Sequence, residues 1–274
     1  MRAIEWIGYA CGMGAGDRGC QDGPTILLAD VERARILSVD ETDDDLAAIV
    51  DISNRLASEI IDCSKKGALP VVIGGDHSCA LGTWSGVSAC DPGCALLWVD
   101  AHLDCHTVHT SPSDNIHGMP VAALLGFGEP ALTAIMQPGG KIDPQRLCLF
   151  GVRSYESEER ALLERLQVKV LYMDDIDRMG MGPSLQEALD YVGRYNRFGI
   201  SVDLDAFDPI TIQAVGTPVP GGLAVDAFEY WLRNIPWPRE KLRAVEIAEY
   251  NPHRDRHGET ALWTHRILKT LTTV

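Results

Sequence analysis

The chain has 274 residues, 46% of them hydrophobic and 23% charged, and its 39 acidic against 24 basic residues give a formal net charge of −15. Nearly half the chain can fill a core, which excludes a disordered polymer. The acidic balance excludes nucleic acid and anionic membrane as main partners, since both need a basic surface, and no apolar run approaches the ~18 residues of a membrane span.

Ala3–Gly8 reads as a first strand rather than a signal peptide, because Glu5 interrupts its apolar stretch and a glycine-rich loop follows. Pro24–Val31 reads as a helix opened by proline. Asp43–Lys65 has helical periodicity, with Leu46, Ile49, Val50, Ile52, Leu56, Ile60 and Ile61 recurring mostly at steps of three or four. The short apolar runs LPVVIGG, CALLWVD, LCLFGVR, FGISVDLD and RAVEIAEY fit strands buried on both faces of a parallel sheet. Helical segments separate them: His77–Val87, His117–Leu125, Glu156–Leu166, Ser184–Tyr195, Asp226–Asn234 and Glu259–Leu271. The alternation predicts an α/β fold in three αβα layers, a mainly parallel central sheet sandwiched by helices, in one domain spanning residues 1–274. The loops Cys11–Gly23, Cys105–Asn115 and Pro209–Gly222 are long enough to point to function. The eight cysteines form no CxxC pair, which predicts reduced thiols and a cytoplasmic protein.

Ligands of an open parallel sheet gather at the carboxyl ends of its strands. VVIGG leads into Asp76 and His77; LLWVD ends in Asp100, with His102 and Asp104 just beyond; ISVDLD ends in Asp203 and Asp205; EIAEY carries Glu249. Alternate residues share a face of an extended backbone, so Asp100, His102 and Asp104 point one way, as do Asp203 and Asp205. Carboxylates gathered like this repel unless a cation or proton intervenes. Four aspartates and two histidines suit Mn²⁺ and, less selectively, Mg²⁺, Co²⁺ or Zn²⁺. No cysteine has the spacing of structural zinc. The ligand count points to two metals sharing carboxylates. His106 and His109 lie in the same window but read equally well as surface, while Cys105 alternates away from the ligands.

These motifs resemble the ureohydrolase superfamily of arginases, agmatinases and relatives. The resemblance runs through Gly23–Pro24, GGDHS (Gly74–Ser78), DAHLDCH (Asp100–His106), IHGMPV (Ile116–Val121), SVDLDAFDP (Ser201–Pro209), GTPVPGG (Gly216–Gly222) and EYNP (Glu249–Pro252). The spacing from Asp100 to His117 is closer to arginase than to agmatinase. The resemblance implies a binuclear manganese site, one ion held by His77, Asp100, Asp104 and Asp203, the other by Asp100, His102, Asp203 and Asp205. A hydroxide bridging the ions would attack the carbon of a guanidino group. Asp104 would hold that hydroxide and pass its proton to the leaving amine, Glu249 would pair with the guanidinium, and His117 would shuttle protons. His117 also reads as a helix cap, and Glu246 competes with Glu249; strand alternation turns those two glutamates to opposite faces. Asp76 and Asp208 read as structural loop-fixing residues. A small guanidino substrate and a homo-oligomer, trimer or hexamer, follow from the same resemblance.

The substrate's amino-acid end departs from arginase. His106 stands where the arginase pattern has an Asn that contacts the α-carboxylate, whereas Ser113 and Asn115 match it. The two aspartates around the α-amino group are replaced by Ser154 and Glu156. Thr217, in GTPVPGG, completes the candidate substrate contacts. The expected reaction is hydrolysis of L-arginine to L-ornithine and urea, or of Nω-hydroxy-L-arginine to L-ornithine and hydroxyurea, the latter as in a relative from cycloserine-type antibiotic biosynthesis. The alternatives are an agmatine, guanidinobutyrate or formimino hydrolase, a single-metal deacetylase, and a non-catalytic binding relative.

Overall fold

A computed structural model describes residues 2–40, 42 and 44–273. Eight strands form one sheet: β1 Ile4–Ala10, β2 Arg35–Ser38, β3 Leu69–Gly74, β4 Ala95–Val99, β5 Leu147–Val152, β6 Lys169–Tyr172, β7 Phe198–Asp203 and β8 Leu242–Ala248. Their order is β2-β1-β3-β8-β7-β4-β5-β6, and every pairing is parallel. Ten helices accompany them among the described residues: α1 Gly23–Leu27, α2 Asp45–Lys65, α3 Cys79–Cys90, α4 Pro120–Leu124, α5 Pro130–Thr133, α6 Ser157–Leu166, α7 Met173–Met179, α8 Met181–Gly193, α9 Val225–Asn234 and α10 Glu259–Thr272.

The central strands are apolar on both faces because a helical layer covers each side. In β4, Ala95, Leu97 and Val99 join the core beneath α8, α9 and α10, while Leu96 and Trp98 join the core beneath α2, α3 and α6. These are the three expected layers. The chain builds β1 to β3 on one side, crosses to β4, β5 and β6, and returns to insert β7 and β8 between. The crossing lies between β3 and β4, so the four inner strands β3, β8, β7 and β4 bring their carboxyl ends together where a ligand crevice forms.

Several elements differ from the sequence reading. The edge strands β2 and β6 and the helices α5 and α7 carry too little buried apolar surface to stand out. The first residue of the expected helix Asp43–Lys65 lies outside the described residues; α2 starts at Asp45, capped by Asp44, whose carboxylate accepts the Ala47 N–H at 2.9 Å. The helix expected from His77 starts at Cys79, leaving His77 free to face the strand ends. The helix expected over His117–Leu125 is split into a 3-10 turn, Ile116–Gly118, and α4. Pro120, which has no backbone N–H, opens α4. No helix among the described residues is long and apolar enough to cross a membrane.

Candidate metal and active site

Asp100 leaves β4 fully buried. Its Oδ2 accepts the Trp98 indole N–H at 2.8 Å and its Oδ1 the His102 backbone N–H at 2.7 Å. Asp203, at the end of β7, accepts the Asp205 backbone N–H at 2.8 Å. Asp205 is held by the Thr217 hydroxyl, which donates to Oδ2 at 2.9 Å, and by the Ala101 N–H at 3.3 Å. Asp104 reaches inward from a left-handed backbone with φ 48°, a conformation costing about 1–2 kcal/mol for a residue with a Cβ.

These contacts draw all six expected ligands into two adjoining groups. The His77 Nδ1 lies 3.3, 3.1 and 3.0 Å from oxygens of Asp100, Asp104 and Asp203, yet completes no hydrogen bond to any of them. The donor atoms of Asp100, His102 and Asp205 also lie within 4.8 Å of one another. The His102 Nδ1 stands 3.1 Å from Asp205 and 3.6 Å from Asp100. A buried nitrogen facing three carboxylates fits a cation better than a single proton, so both groups could hold metal.

The titration pattern agrees. Burial and the charge of Asp100 push the Asp104 carboxyl up to about 7. Burial, with Asp205 and Asp100, pushes Asp203 well above the carboxylate range. Burial works against a charged His102, but Asp205 and Asp100 outweigh it and hold the imidazole at about 12. His77 is likewise held well above an ordinary histidine by Asp100, Asp104 and Asp203 despite its burial. Asp100 moves the opposite way, because the neighbouring His102 and His77 imidazoles outweigh its desolvation. Protons thus balance the acids in the positions where cations would sit.

Glu249 closes one side. Its Oε1 accepts the His77 backbone N–H at 2.9 Å and stands 2.9 Å from the His117 Nδ1, while its buried Oε2 has no partner. Glu246 does not face away, as alternation predicts. β8 ends at Ala248, and Glu249 takes φ 71°, which turns its side chain back toward His77. Glu246 Oε1 lies 3.9 Å from the other ring nitrogen of the same His77. The two structural aspartates do fix loops: Asp76 accepts the Gly14 and Ser78 N–H groups at 2.7 and 2.9 Å, and Asp208 those of Ile210, Gly221 and Gly222.

A cleft of about 280 Å³ opens over the cluster, with Asp104, His102 and His117 in its walls. His106, Ser113, Asn115, Glu156 and Thr217 also line it. Both ring nitrogens of His106 are engaged, Nδ1 at 3.1 Å from Thr110 Oγ1 and Nε2 at 2.8 Å from Glu156. Glu159, which the sequence reading missed, is buried there. It accepts the backbone N–H groups of Cys105 and Glu156 and lies 3.3 Å from His106. Its place three residues after Glu156 at a helix start was the available signal. Cys105 faces the apolar core, and His109 is exposed. A larger cleft of about 690 Å³ lies against the other side of the 105–110 loop and includes none of the six clustered residues.

The parallel sheet, with acids and imidazoles gathered at the carboxyl ends of its four inner strands, has the architecture of a ureohydrolase. The model of the arginase family matches residues 3–273, and the chain belongs to that family, which makes it an amidinohydrolase. It is 34% identical over 284 residues to an arginase of Bacillus caldovelox, with 95% of each chain covered. It is 38% identical over 218 residues to an arginase of Brevibacillus brevis, covering 79% of this chain and 72% of that one. The crystal structure of Bacillus subtilis arginase superposes with a TM-score of 0.90 at 30% identity, covering 100% of this chain and 99% of that one.

Proposed function

We propose that this enzyme hydrolyses the guanidino group of L-arginine or Nω-hydroxy-L-arginine, releasing L-ornithine with urea or hydroxyurea. The observation that carries the reading is Glu249 Oε2, a buried carboxylate oxygen without a partner beside the acid–imidazole cluster. A guanidinium N–H satisfies that oxygen and sets the guanidino carbon above the cluster. His77, Asp100, Asp104 and Asp203 would hold one Mn²⁺, and His102 and Asp205, with Asp100 and Asp203 shared, a second. Two such cations supply an activated water at neutral pH.

The chain's own groups do the rest. Glu249 orients the guanidinium. Asp104 takes the proton released as water adds to the guanidino carbon, then delivers it to the amine nitrogen as that C–N bond breaks. His117 exchanges protons between cleft and solvent. Ser113, Asn115, Glu156 and Thr217 line the path of the amino-acid tail, with His106 bracing Glu156. We read the chain as one cytoplasmic catalytic domain assembling as a trimer or hexamer, which light scattering measures directly. The functional reading is tested by product analysis: with Mn²⁺ supplied, L-ornithine forms with urea or hydroxyurea, and Asp205→Ala forms neither. Turnover of agmatine, guanidinobutyrate or a formimino compound with none of arginine or hydroxyarginine overturns it.

A further inference from the structure

The catalytic cleft uses the carboxyl ends of the strands. At their amino ends, on the opposite end of the sheet, an open cavity of about 590 Å³ is lined by Arg146, Arg194 and Arg197. Arg146 and Arg197 immediately precede β5 and β7, and Arg194 follows α8. A chain of net charge −15 thus gathers three of its 24 cationic side chains round one hollow. Arg243, the second residue of β8, backs them. Among the described residues one carboxylate lines the cavity, that of buried Asp91. Both its oxygens are already spent, Oδ1 on Arg197 and Oδ2 at 3.1 Å from Arg243 Nε. A turn sets Asp91 in place: Cys94 N–H donates to the Asp91 carbonyl at 3.0 Å, with Pro92 second and Gly93, at φ 84°, third.

The remaining arginines are held by neutral groups, which orient their charge without cancelling it. Arg194 makes no ion pair among the described residues. Its guanidinium lies 4.0 Å from the Tyr191 ring centre and 4.9 Å from that of Tyr195, and donates to the Tyr195 hydroxyl at 2.8 Å. Arg146 lies 4.6 Å over the same Tyr195 ring and donates to the Gly93 carbonyl. Its nearest carboxylate is exposed Asp143, at 3.8 Å. The Tyr195 hydroxyl is anchored in turn, donating to the Gln145 carbonyl at 2.6 Å. One fixed ring therefore carries two like charges side by side. Burial, and then the charge of Arg197, draws the Arg243 guanidinium below its ordinary range, the sign of cations crowded together.

We propose that this cavity is an oxyanion site, in which Arg146, Arg194 and Arg197 take up a phosphate group, free or carried by a small metabolite. Planar guanidinium forks match phosphate oxygens two at a time. The ring and carbonyl contacts hold the forks in advance, so binding orders little that is not already ordered. Asp91 stands behind as an orienting residue, its charge already matched.

The test is calorimetric titration of inorganic phosphate into the manganese-loaded enzyme, wild type beside Arg146→Gln, Arg194→Gln and Arg194→Lys. It needs no turnover, so it stands apart from the guanidino reading. Wild type is expected to bind phosphate, more weakly as NaCl is raised. Each Gln variant is expected to lose about tenfold or more in affinity, the worth of one hydrogen bond to a charged group. Arg194→Lys keeps the charge without the fork and is expected to lose less. Arg194 has no ion pair to break, so its variants should keep the wild-type melting temperature without phosphate and fail to gain from it what wild type gains. A sugar phosphate binding at least about tenfold tighter than the free ion, with the same loss in Arg194→Gln, identifies a phosphorylated metabolite as the ligand; equal affinity identifies the ion itself. Wild type that binds no phosphate overturns the site. So does affinity unchanged in both Gln variants, which would put the phosphate on the metals, and so does a Gln variant that binds phosphate as before but forms a smaller oligomer, which would make these arginines a contact between copies.

Discussion

The His117 Nδ1 and the Glu249 Oε1 lie 2.9 Å apart, and the same oxygen accepts the His77 backbone N–H at 2.9 Å. One carboxylate therefore ties the turn after the 105–115 loop to the segment after β3, and still offers its second oxygen. The pairing also sets the charge of His117. Burial alone would strip its proton, but the charge and hydrogen bond of Glu249 outweigh that and hold the imidazole at about 10. At neutral pH His117 is a cation with a proton to give.

Substituting Glu249→Gln removes both effects. The His117 pKa is expected to fall toward the ordinary ~6.5, and kcat/KM to drop at least about 100-fold, as for other lost charge-assisted contacts to a reacting group. Folding raises the His117 pKa, so the pairing stabilises the metal-free protein fully below about pH 6.5 and is lost as pH rises through about 10. Melting temperatures of metal-free wild type and Glu249→Gln should differ most at the acid end of that window. A gap that widens with pH contradicts the pairing.

Metal uptake should release protons. Asp104 at about 7, His102 at about 12, and the raised Asp203 and His77 all hold protons that a cation must displace. Calorimetry of Mn²⁺ binding in buffers of different ionisation enthalpy is expected to show net proton release at pH 7 and tighter binding as pH rises. Chelation should lower the melting temperature, because a ligand at 100 times its Kd stabilises by about 2.7 kcal/mol. Binding with no proton release would mean that the carboxylates and imidazoles are not the ligands.

Thr217 acts on Asp205 through a single hydroxyl, 2.9 Å from Oδ2. Thr217→Val keeps the side-chain shape and removes only that donor. It is expected to weaken manganese affinity and activity about 10–100-fold, whereas Asp205→Ala abolishes turnover. Equal losses in the two variants would place Thr217 in a role other than orienting Asp205.

His106→Asn separates the roles at the cleft mouth. The imidazole spends both nitrogens on Thr110 and Glu156. An amide there frees Glu156 and offers an N–H to a substrate carboxylate. One hydrogen bond to a charged group contributes about 1.5–3 kcal/mol, so the kcat/KM ratio of L-arginine to agmatine is expected to rise at least about tenfold. An unchanged ratio removes His106 from specificity.

Much of this was legible in the chain because the chemistry sits at the ends of apolar runs. The runs ending at Gly75, Asp100 and Asp203 are strands buried on both faces, so their ends locate the crevice. What stayed hidden depends on contacts between distant segments. The strands Arg35–Ser38 and Lys169–Tyr172 lie at the sheet edges, only partly buried, and lack a continuous apolar signature. Glu159 looks like one of several acids at the start of α6 until its carboxylate is seen against Cys105 and His106. Strand alternation misplaced Glu249, because β8 ends at Ala248 and the left-handed turn at Glu249 cannot be read from a strand period.

The proposed reaction is hydrolysis, in this cleft, of a guanidino group carried by an amino acid. Its most direct test is kcat/KM, with Mn²⁺ supplied, for L-arginine, Nω-hydroxy-L-arginine, agmatine and guanidinobutyrate. One of the two amino-acid substrates is expected to be the best, with its activity lost in Asp205→Ala. Agmatine or guanidinobutyrate as clearly the best substrate would contradict it.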